Sequence, residues 1–432
     1  MDQLSGAAER GILRNRAFLA LWAAQILSQV AANATTFALI VLVGEITKSN
    51  TSSSILILLA ILPAVVFGVF AGVVVDRTDR KRVLVVTNAF RALAVVPLLV
   101  IGGNVTTAYI VNFLVAAITV FFVPAESATI PAIVRKRDLL VANSLFTFTF
   151  NGAFLVGFII LAPVVIALAS YQVLFILIAS MFGGAALLCL TVPDVRALRA
   201  ERIGVDVAGA AVAQTIGGVG EAFAYLRKHP PVVWSLVYIA LTYMLIAVAG
   251  ALAPGFVREV LGLSEKNVVV LVAPAGLGVV VGLGALNAIG GRLGPSRAIG
   301  TGLLVTAAAL LVLAAERPLA FVFLTPTGPT AGFVALVSVT AFVFGVAYAF
   351  ITVPSMTRLQ SDLHDEIRGR IFGVLNMLVS VFSFAPLLLV GPVADAYGVA
   401  PVFVGGAVSC LLAWVGGRAS RGQIKVESAP GM

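Results

Sequence analysis

Long apolar runs follow one another along the whole chain, separated only by short charged or Gly- and Pro-containing breaks, and this alternation limits what 432 residues can fold into. About 20 apolar residues in a helix cross the roughly 30 Å of hydrocarbon in a bilayer. Runs bounded by charge, glycine or proline give about twelve spans, at 18–44, 54–75, 83–102, 107–125, 140–168, 171–192, 232–257, 268–289, 298–315, 331–354, 370–393 and 399–417. A soluble fold is excluded: 60% of the residues are hydrophobic and 11% charged, against about 25% charged in soluble chains. The expected fold class is all-α integral membrane, with 12 transmembrane helices and the lipid bilayer as solvent. Arg10, Arg14 and Arg16 precede an apolar stretch at 17–46 that superficially resembles a signal peptide. It is too long and has no clean small-residue cleavage site, so it reads as an uncleaved first span.

The net charge of +9 does not point to nucleic acid, because the basic residues sit in short runs between spans rather than on one face. With the N-terminus in the cytoplasm, 23 of the 28 Lys and Arg lie on the cytoplasmic side, which fixes the expected orientation. Both termini are then cytoplasmic, in an inner or plasma membrane; Lys48, Arg258, Lys266 and Arg317 fall outside, and Arg91 falls within span 3. The longest internal loop divides the spans six and six. The layout expected is an N-terminal six-helix bundle at 1–193, a loop at 194–231, a C-terminal six-helix bundle at 232–418 and a tail at 419–432. The loop carries an amphipathic stretch, Glu221 to Lys228, before the His229-Pro230-Pro231 break. Cys189 and Cys410 have no metal-ligand or redox spacing and read as packing residues, so no metal or other cofactor is expected. His229 and His364 read as structural.

The halves repeat weakly. Trp22, Gly72 and Arg80 recur as Trp234, Gly284 and Arg292 at one offset, and Val123-Pro124 and Leu145 recur as Val353-Pro354 and Leu375 at another. Constant offsets argue for duplicated six-helix bundles, a recurrent feature of transporters. Between spans 2 and 3 the chain reads Gly72-Val-Val-Val-Asp76-Arg77-Thr78-Asp79-Arg80-Lys81-Arg82. This resembles the signature loop of the major facilitator superfamily, Gly-x-x-x-Asp-Arg-x-Gly-Arg-Arg/Lys, with Asp79 at the usual glycine. The stretch Phe122-Val-Pro124-Ala125-Glu126-Ser-Ala-Thr-Ile-Pro131 with Ala142-Asn143-Ser144 is similar to the drug, macrolide and siderophore exporters of that superfamily, as are Asp365 to Phe372 and Tyr225 to Pro230. The resemblance implies two pseudo-symmetric bundles and a latch between them made by Gly72, Asp76, Arg77 and Arg80. Ala288 and Ile289 stand at the duplicate Asp-Arg positions, so only one copy of the latch is armed.

Polar side chains inside a bilayer are costly, which makes them the natural site candidates. Gln25, Ser28, Gln29, Asn33 and Thr36 share one face of span 1, and this stripe reads either as cavity lining or as helix-packing glue. Shorter stripes are Asn112 and Thr119, Asn143, Thr147 and Asn151, Tyr238 and Thr242, Tyr348 and Thr352, and Asn376 and Ser380. In the superfamily spans 1, 4, 7 and 10 line the path, which the resemblance carries to the members on those spans. Surrounding Phe and Met suit an amphipathic small molecule. Arg91 needs a partner or a route to water, with Glu126 the first choice and Asp76 the second; Asp76, Arg77, Arg91 and Glu126 then form a gating network, and the alternative is an Arg91 that snorkels.

No phosphate-binding Gly-x-x-x-x-Gly-Lys-Ser/Thr loop is present, so ATP is not the expected energy source. Gly276, Gly278 and Gly282 sit in span 8, where close helix packing explains them. The chain reads as a monomeric transporter, not an enzyme, with protons as the coupling partner the resemblance implies, although no carboxylate stands plainly at mid-membrane: Glu45, Glu126 and Asp395 all lie near span ends. A lipid or lysolipid flippase and a non-transporting membrane sensor or scaffold are the competing readings.

Overall fold

A computed structural model of the chain describes residues 12–100, 104–194, 225–325, 328–362 and 384–427. The helices are α1 Arg16–Thr47, α2 Asn50–Arg77, α3 Arg80–Val100, α4 Val105–Ile133, α5 Leu139–Phe154, α6 Ala162–Leu168 and α7 Tyr171–Leu190, followed by α8 Pro230–Glu259, α9 Val269–Leu293, α10 Pro295–Phe323, α11 Ala331–Asp362, α12 Phe384–Tyr397 and α13 Ala400–Glu427. Among the described residues 11 helical segments are long and apolar enough to cross a membrane, and Phe384–Tyr397 is a shorter apolar helix. This is consistent with twelve spans. The expected stretch Asp365 to Phe372, Asn376 and Ser380, and most of the 194–231 loop lie outside the described residues; of Glu221 to Lys228, residues 225–228 are helical.

Local chemistry sets the helix ends. Asn104 accepts from the Thr106 N–H at 2.9 Å and Ser170 from the Val173 N–H at 3.3 Å, so each caps the start of its helix. Asp79 accepts from the Lys81 N–H at 3.0 Å; the residue that replaces the signature glycine therefore caps α3. Gly294 ends α9 at φ 69°, a conformation other residues rarely adopt, and Pro295 opens α10. Prolines 63, 97, 124, 131, 254, 274 and 354 stand inside helices, which neighbouring membrane helices permit. A π-helical segment, Leu155–Leu161, joins α5 to α6. Within it a Cβ on Gly157 would collide with the Val30 carbonyl of α1, so the missing side chain lets the wound segment lie against that helix. Leu324–Thr325 and Gly328–Pro329 pair as two short antiparallel strands.

The described residues group into two compact units. The first comprises Met1–Ile46 and Leu59–Val212, the second Thr47–Leu58 and Ala213–Met432. The first two turns of α2 thus belong to the second unit and the rest of α2 to the first. In the first unit α3 packs between α4 and α7, over a core of Phe18, Leu21, Leu84, Phe122, Phe146 and Cys189. In the second, α11 packs against α8, α9 and α10, and α13 against α8 and α10. Large apolar side chains such as Phe90, Leu93, Leu168 and Leu412 are exposed, an arrangement that lipid, not water, accommodates.

The α9–α11 contact depends on absent side chains. A Cβ on Gly278 would collide with the Phe342 carbonyl, one on Gly345 with the Ala275 carbonyl, and one on Gly282 would stand 2.9 Å from the Val346 carbonyl. Gly278 and Gly282 are therefore packing glycines, as expected. A Cβ on Gly284, two residues further along α9, would meet nothing within 4 Å among the described residues. Gly345→Ala is expected to cost about 1–3 kcal/mol through overpacking, read as a lowered thermal midpoint in detergent, while Gly284→Ala leaves the midpoint unchanged.

Candidate functional site

Arg91 stands on α3 and is 1% exposed. It does not snorkel. The fold supports its charge from three helices: Nη2 donates to Asn88 Oδ1 at 2.8 Å and Nη1 to Thr119 Oγ1 of α4 at 3.5 Å. The guanidinium also lies over the Phe122 ring of α4 at 4.3 Å and the Phe182 ring of α7 at 4.9 Å, positions that attract a cation. Asn88 is held in turn, its Nδ2 donating to the Leu84 carbonyl at 2.9 Å and toward Cys189 Sγ at 3.8 Å.

Glu126 completes this cluster. The expected span ended at 125, but α4 runs on to Ile133, so Glu126 lies two turns inside the helix and is 5% exposed. Its charge and that of Arg91 act on each other, yet its Oε1 has no hydrogen-bond partner among the described residues. The pair expected from the sequence is thus brought together without a direct bridge.

The signature loop reaches the same stretch of α4. Arg80 Nη1 donates to the Ala128 carbonyl, two residues past Glu126, at 2.9 Å. Lys81 pairs with Asp194 at 3.2 Å, while Arg77 is exposed and so stands apart from the buried cluster. Asp76 lies in the last turn of α2. A Cβ on Gly72 would meet nothing within 4 Å among the described residues, so no close helix approach is made at that glycine there.

On α1, Gln25, Ser28 and Gln29 are buried and Asn33 and Thr36 half-buried. Gln25 Nε2 donates to the Phe146 carbonyl of α5 at 3.3 Å, and Asn33 Nδ2 to the Gln29 carbonyl at 2.8 Å. Gln25 therefore ties α1 to α5, beside a Trp22 Nε1 bond to Thr149 Oγ1 at 2.7 Å. Ser28 Oγ has no partner among the described residues. Asn112 is buried on α4, and Tyr238 and Thr242 are buried one turn apart on α8. Tyr348 and Thr352 are half-buried on α11, with Tyr243 of α8 beside Tyr348. Asn143 and Thr147 are exposed on α5, and Asn151 falls on the same helix.

Two features of the second unit escaped the sequence. One is an apolar cavity of about 440 Å³ lined by Met244 and Val248 of α8, Leu310 of α10, Leu389 of α12, and Phe403 and Ser409 of α13. The other is a polar seat for the start of α2. Asp395 of α12 accepts from the Asn50 N–H at 2.7 Å, the Thr51 N–H at 3.0 Å, Thr51 Oγ1 at 2.6 Å and Ser49 Oγ at 2.7 Å, placing a carboxylate at a helix N-terminus. Beside it Lys48 donates to both Glu265 oxygens at 2.9 Å, Arg258 bridges Glu265 at 3.3 Å and Glu259 at 2.8 Å, and Asn50 Nδ2 donates to Glu259 at 3.0 Å. A Cβ on Gly391 would stand 2.9 Å from Ser54 Oγ and 3.0 Å from the Thr51 nitrogen. The run Ser49-Asn50-Thr51-Ser52 is a capping signal in the sequence; the distant acid that completes it is not.

The family model described as "Major Facilitator Superfamily" matches residues 21–386. The multidrug efflux pump Tap of Mycolicibacterium fortuitum is 25% identical over 377 residues, covering 84% of this chain and 86% of that protein. Macrolide efflux protein A of Streptococcus pyogenes is 26% identical over 394 residues, covering 88% and 90%. Among solved structures, the nucleoside transporter NupG superposes with a TM-score of 0.70 at 13% identity, over 93% of this chain and 98% of that one.

Asp395→Ala removes an N-cap carboxylate, which costs about 0.5–2 kcal/mol. The expected result is a lower melting temperature in detergent and faster hydrogen exchange in the first turns of α2, with the α9–α11 contact unaffected.

Proposed function

The chain belongs to the Major Facilitator Superfamily, and from that premise we propose that it is a secondary active transporter exporting amphipathic small molecules, drug-like or siderophore-like, across the cytoplasmic membrane by alternating access coupled to proton antiport. The observation that carries this reading is that relatives spanning 84% and 88% of the chain are named for multidrug and macrolide efflux. Geometry supports the substrate class: amide and hydroxyl groups on α1 and α8 are buried among apolar side chains, and the cavity of the second unit is walled almost wholly by carbon. Such surroundings favour a ligand with a large apolar body and few polar groups.

In this reading 1–193 and 232–418 are the two bundles, 194–231 joins them, and both termini are cytoplasmic. Gln25, Ser28, Gln29, Asn33, Asn112, Thr119, Asn151, Tyr238, Thr242, Tyr348, Thr352 and Asn376 line the substrate path. Gly72, Asp76, Arg77 and Arg80 form the latch, backed by Arg91 and Glu126, and the protein works as a monomer. The Arg80 bond to the Ala128 carbonyl supports a latch built on α4 as well as on the loop.

Proteoliposomes with an imposed pH gradient test the proposal, using ethidium as a cationic amphiphile and a fluorescent lysolipid as the competing cargo. Gradient-driven ethidium accumulation is expected; lysolipid movement without it favours the flippase, and movement of neither removes transport. Asp76→Asn is expected to lower ethidium flux about tenfold, in line with the loss of one charge-assisted hydrogen bond, at unchanged expression in the membrane. Wild-type flux in that variant would remove the latch.

A further inference from the structure

We infer that the Glu126 carboxyl is a proton-binding site of the first unit, loaded and emptied beside the fixed charge of Arg91. The inference deepens the antiport reading above and rests on it: an antiporter needs a group that takes a proton on one side of the membrane and yields it on the other. Among the described residues Glu126 is the only acid that is both buried and more than one turn from either end of its helix. The other buried acids, Asp138 and Glu265, sit in short 3-10 turns between longer helices.

The bonding around Glu126 separates a proton site from a permanent ion pair. A buried pair that only neutralises charge is stable when guanidinium and carboxylate interlock, each satisfying the other's hydrogen bonds. Here Arg91 spends its Nη groups on Asn88 and Thr119 and rests against two aromatic rings. Its two Nη groups are therefore held whichever form the carboxyl takes. Among the described residues neither Glu126 Oε1 nor Arg91 Nε has a hydrogen-bond partner, so the two groups stand close without interlocking.

The remaining neighbours leave the carboxyl equally free. From α3 it faces Arg91, with Asn88 committed to Leu84 and Cys189. From α7 it faces the buried Cys189 thiol, with Phe182 against the guanidinium. On α4 itself, Thr119 Oγ1 donates to the Val115 carbonyl and Thr129 Oγ1 to the Ala125 carbonyl, each at 2.6 Å. Among the described residues neither of these hydroxyls is left to fix the ionised form. A carboxyl so placed takes or yields a proton without breaking a hydrogen bond already made to Oε1. The Arg80 bond two residues along α4 ties that change to the signature loop.

Glu126→Gln and Glu126→Asp, reconstituted beside wild type, test the inference with three readouts: accumulation of ethidium driven by a pH gradient, the pH dependence of ethidium exchange without a gradient, and the infrared carboxylic-acid carbonyl band across the neutral range. Expected for Glu126→Gln is a loss of gradient-driven accumulation of about tenfold or more, the scale of one proton moved across the membrane potential, exchange that no longer changes with pH, and disappearance of a band that titrates in wild type. Glu126→Asp is expected to restore all three in part. Wild-type accumulation and pH dependence in Glu126→Gln would overturn the inference and leave Glu126 as a counter-charge for Arg91. Absence of a titrating band that is sensitive to residue 126 would overturn it even where antiport holds. A wild type that ignores the pH gradient would instead sink the antiport reading, and this inference with it.

Discussion

Hydrocarbon donates and accepts no hydrogen bonds, and every polar group placed in it must be satisfied by the chain itself. Many hydroxyls follow it, although Ser28, Thr306 and Ser355 have no partner among the described residues. Thr35, Thr87, Thr119, Thr129, Ser180, Thr242, Thr340 and Ser409 each donate to the carbonyl four residues before them, so a residue type that ordinarily caps or breaks a helix becomes part of its wall. Thr119 does more: its oxygen also receives Arg91. The same rule governs the charge, since an arginine that cannot reach water is held by an amide, a hydroxyl and two rings from three separate helices. Breaking that support would strand a cation in the core of the first unit.

If burial of polar groups must be complete, helix contacts have to be made by shape. Water gives no drive for apolar helices to associate in lipid, and close backbone approach supplies the attraction instead. Gly157 against Val30, and Gly278 and Gly345 against opposite carbonyls, are such approaches. The start of α2 combines both modes, with Gly391 admitting its backbone and Asp395 holding its free N–H groups. Because α2 begins in the second unit and ends with Asp76 and Arg77 in the first, one helix carries the capped seat at its start and the signature loop at its end.

Apolar runs were enough to read the spans, since each is a property of a contiguous stretch of chain. Boundaries were harder. A charge normally marks a helix end, which puts the expected end of the fourth span before Glu126; α4 instead continues for two more turns, and the signature-loop Arg80 donates to the Ala128 carbonyl within them. That Arg91 would need support inside the span was legible, because the cost of a charge in lipid can be judged from the sequence alone. Its contacts with Thr119, Phe122 and Phe182 were not, because they join separate helices. The packing role of Gly278 and Gly282 was readable from spacing, whereas the neighbours of Gly72 and Gly284 depend on what stands opposite, which no local pattern encodes. The Asp395 seat, made across 344–346 residues of chain, lies wholly beyond local pattern.

The repeat between the halves sharpens what each half does. Gly72 and Arg80 have counterparts in Gly284 and Arg292, but Asp76 and Arg77 are replaced by Ala288 and Ile289, both exposed on α9. The first unit keeps the acid, the arginines and the buried Arg91 cluster. The second has traded the duplicate acid and arginine for apolar surface, and it encloses the carbon-lined cavity. Two copies of one bundle have thus diverged along the line that the bilayer makes expensive. Charge buried in the middle of a helix stands where amides and rings support it, in the first unit, whereas the buried acid of the second, Glu265, sits in a short turn where Lys48 and Arg258 pair with it.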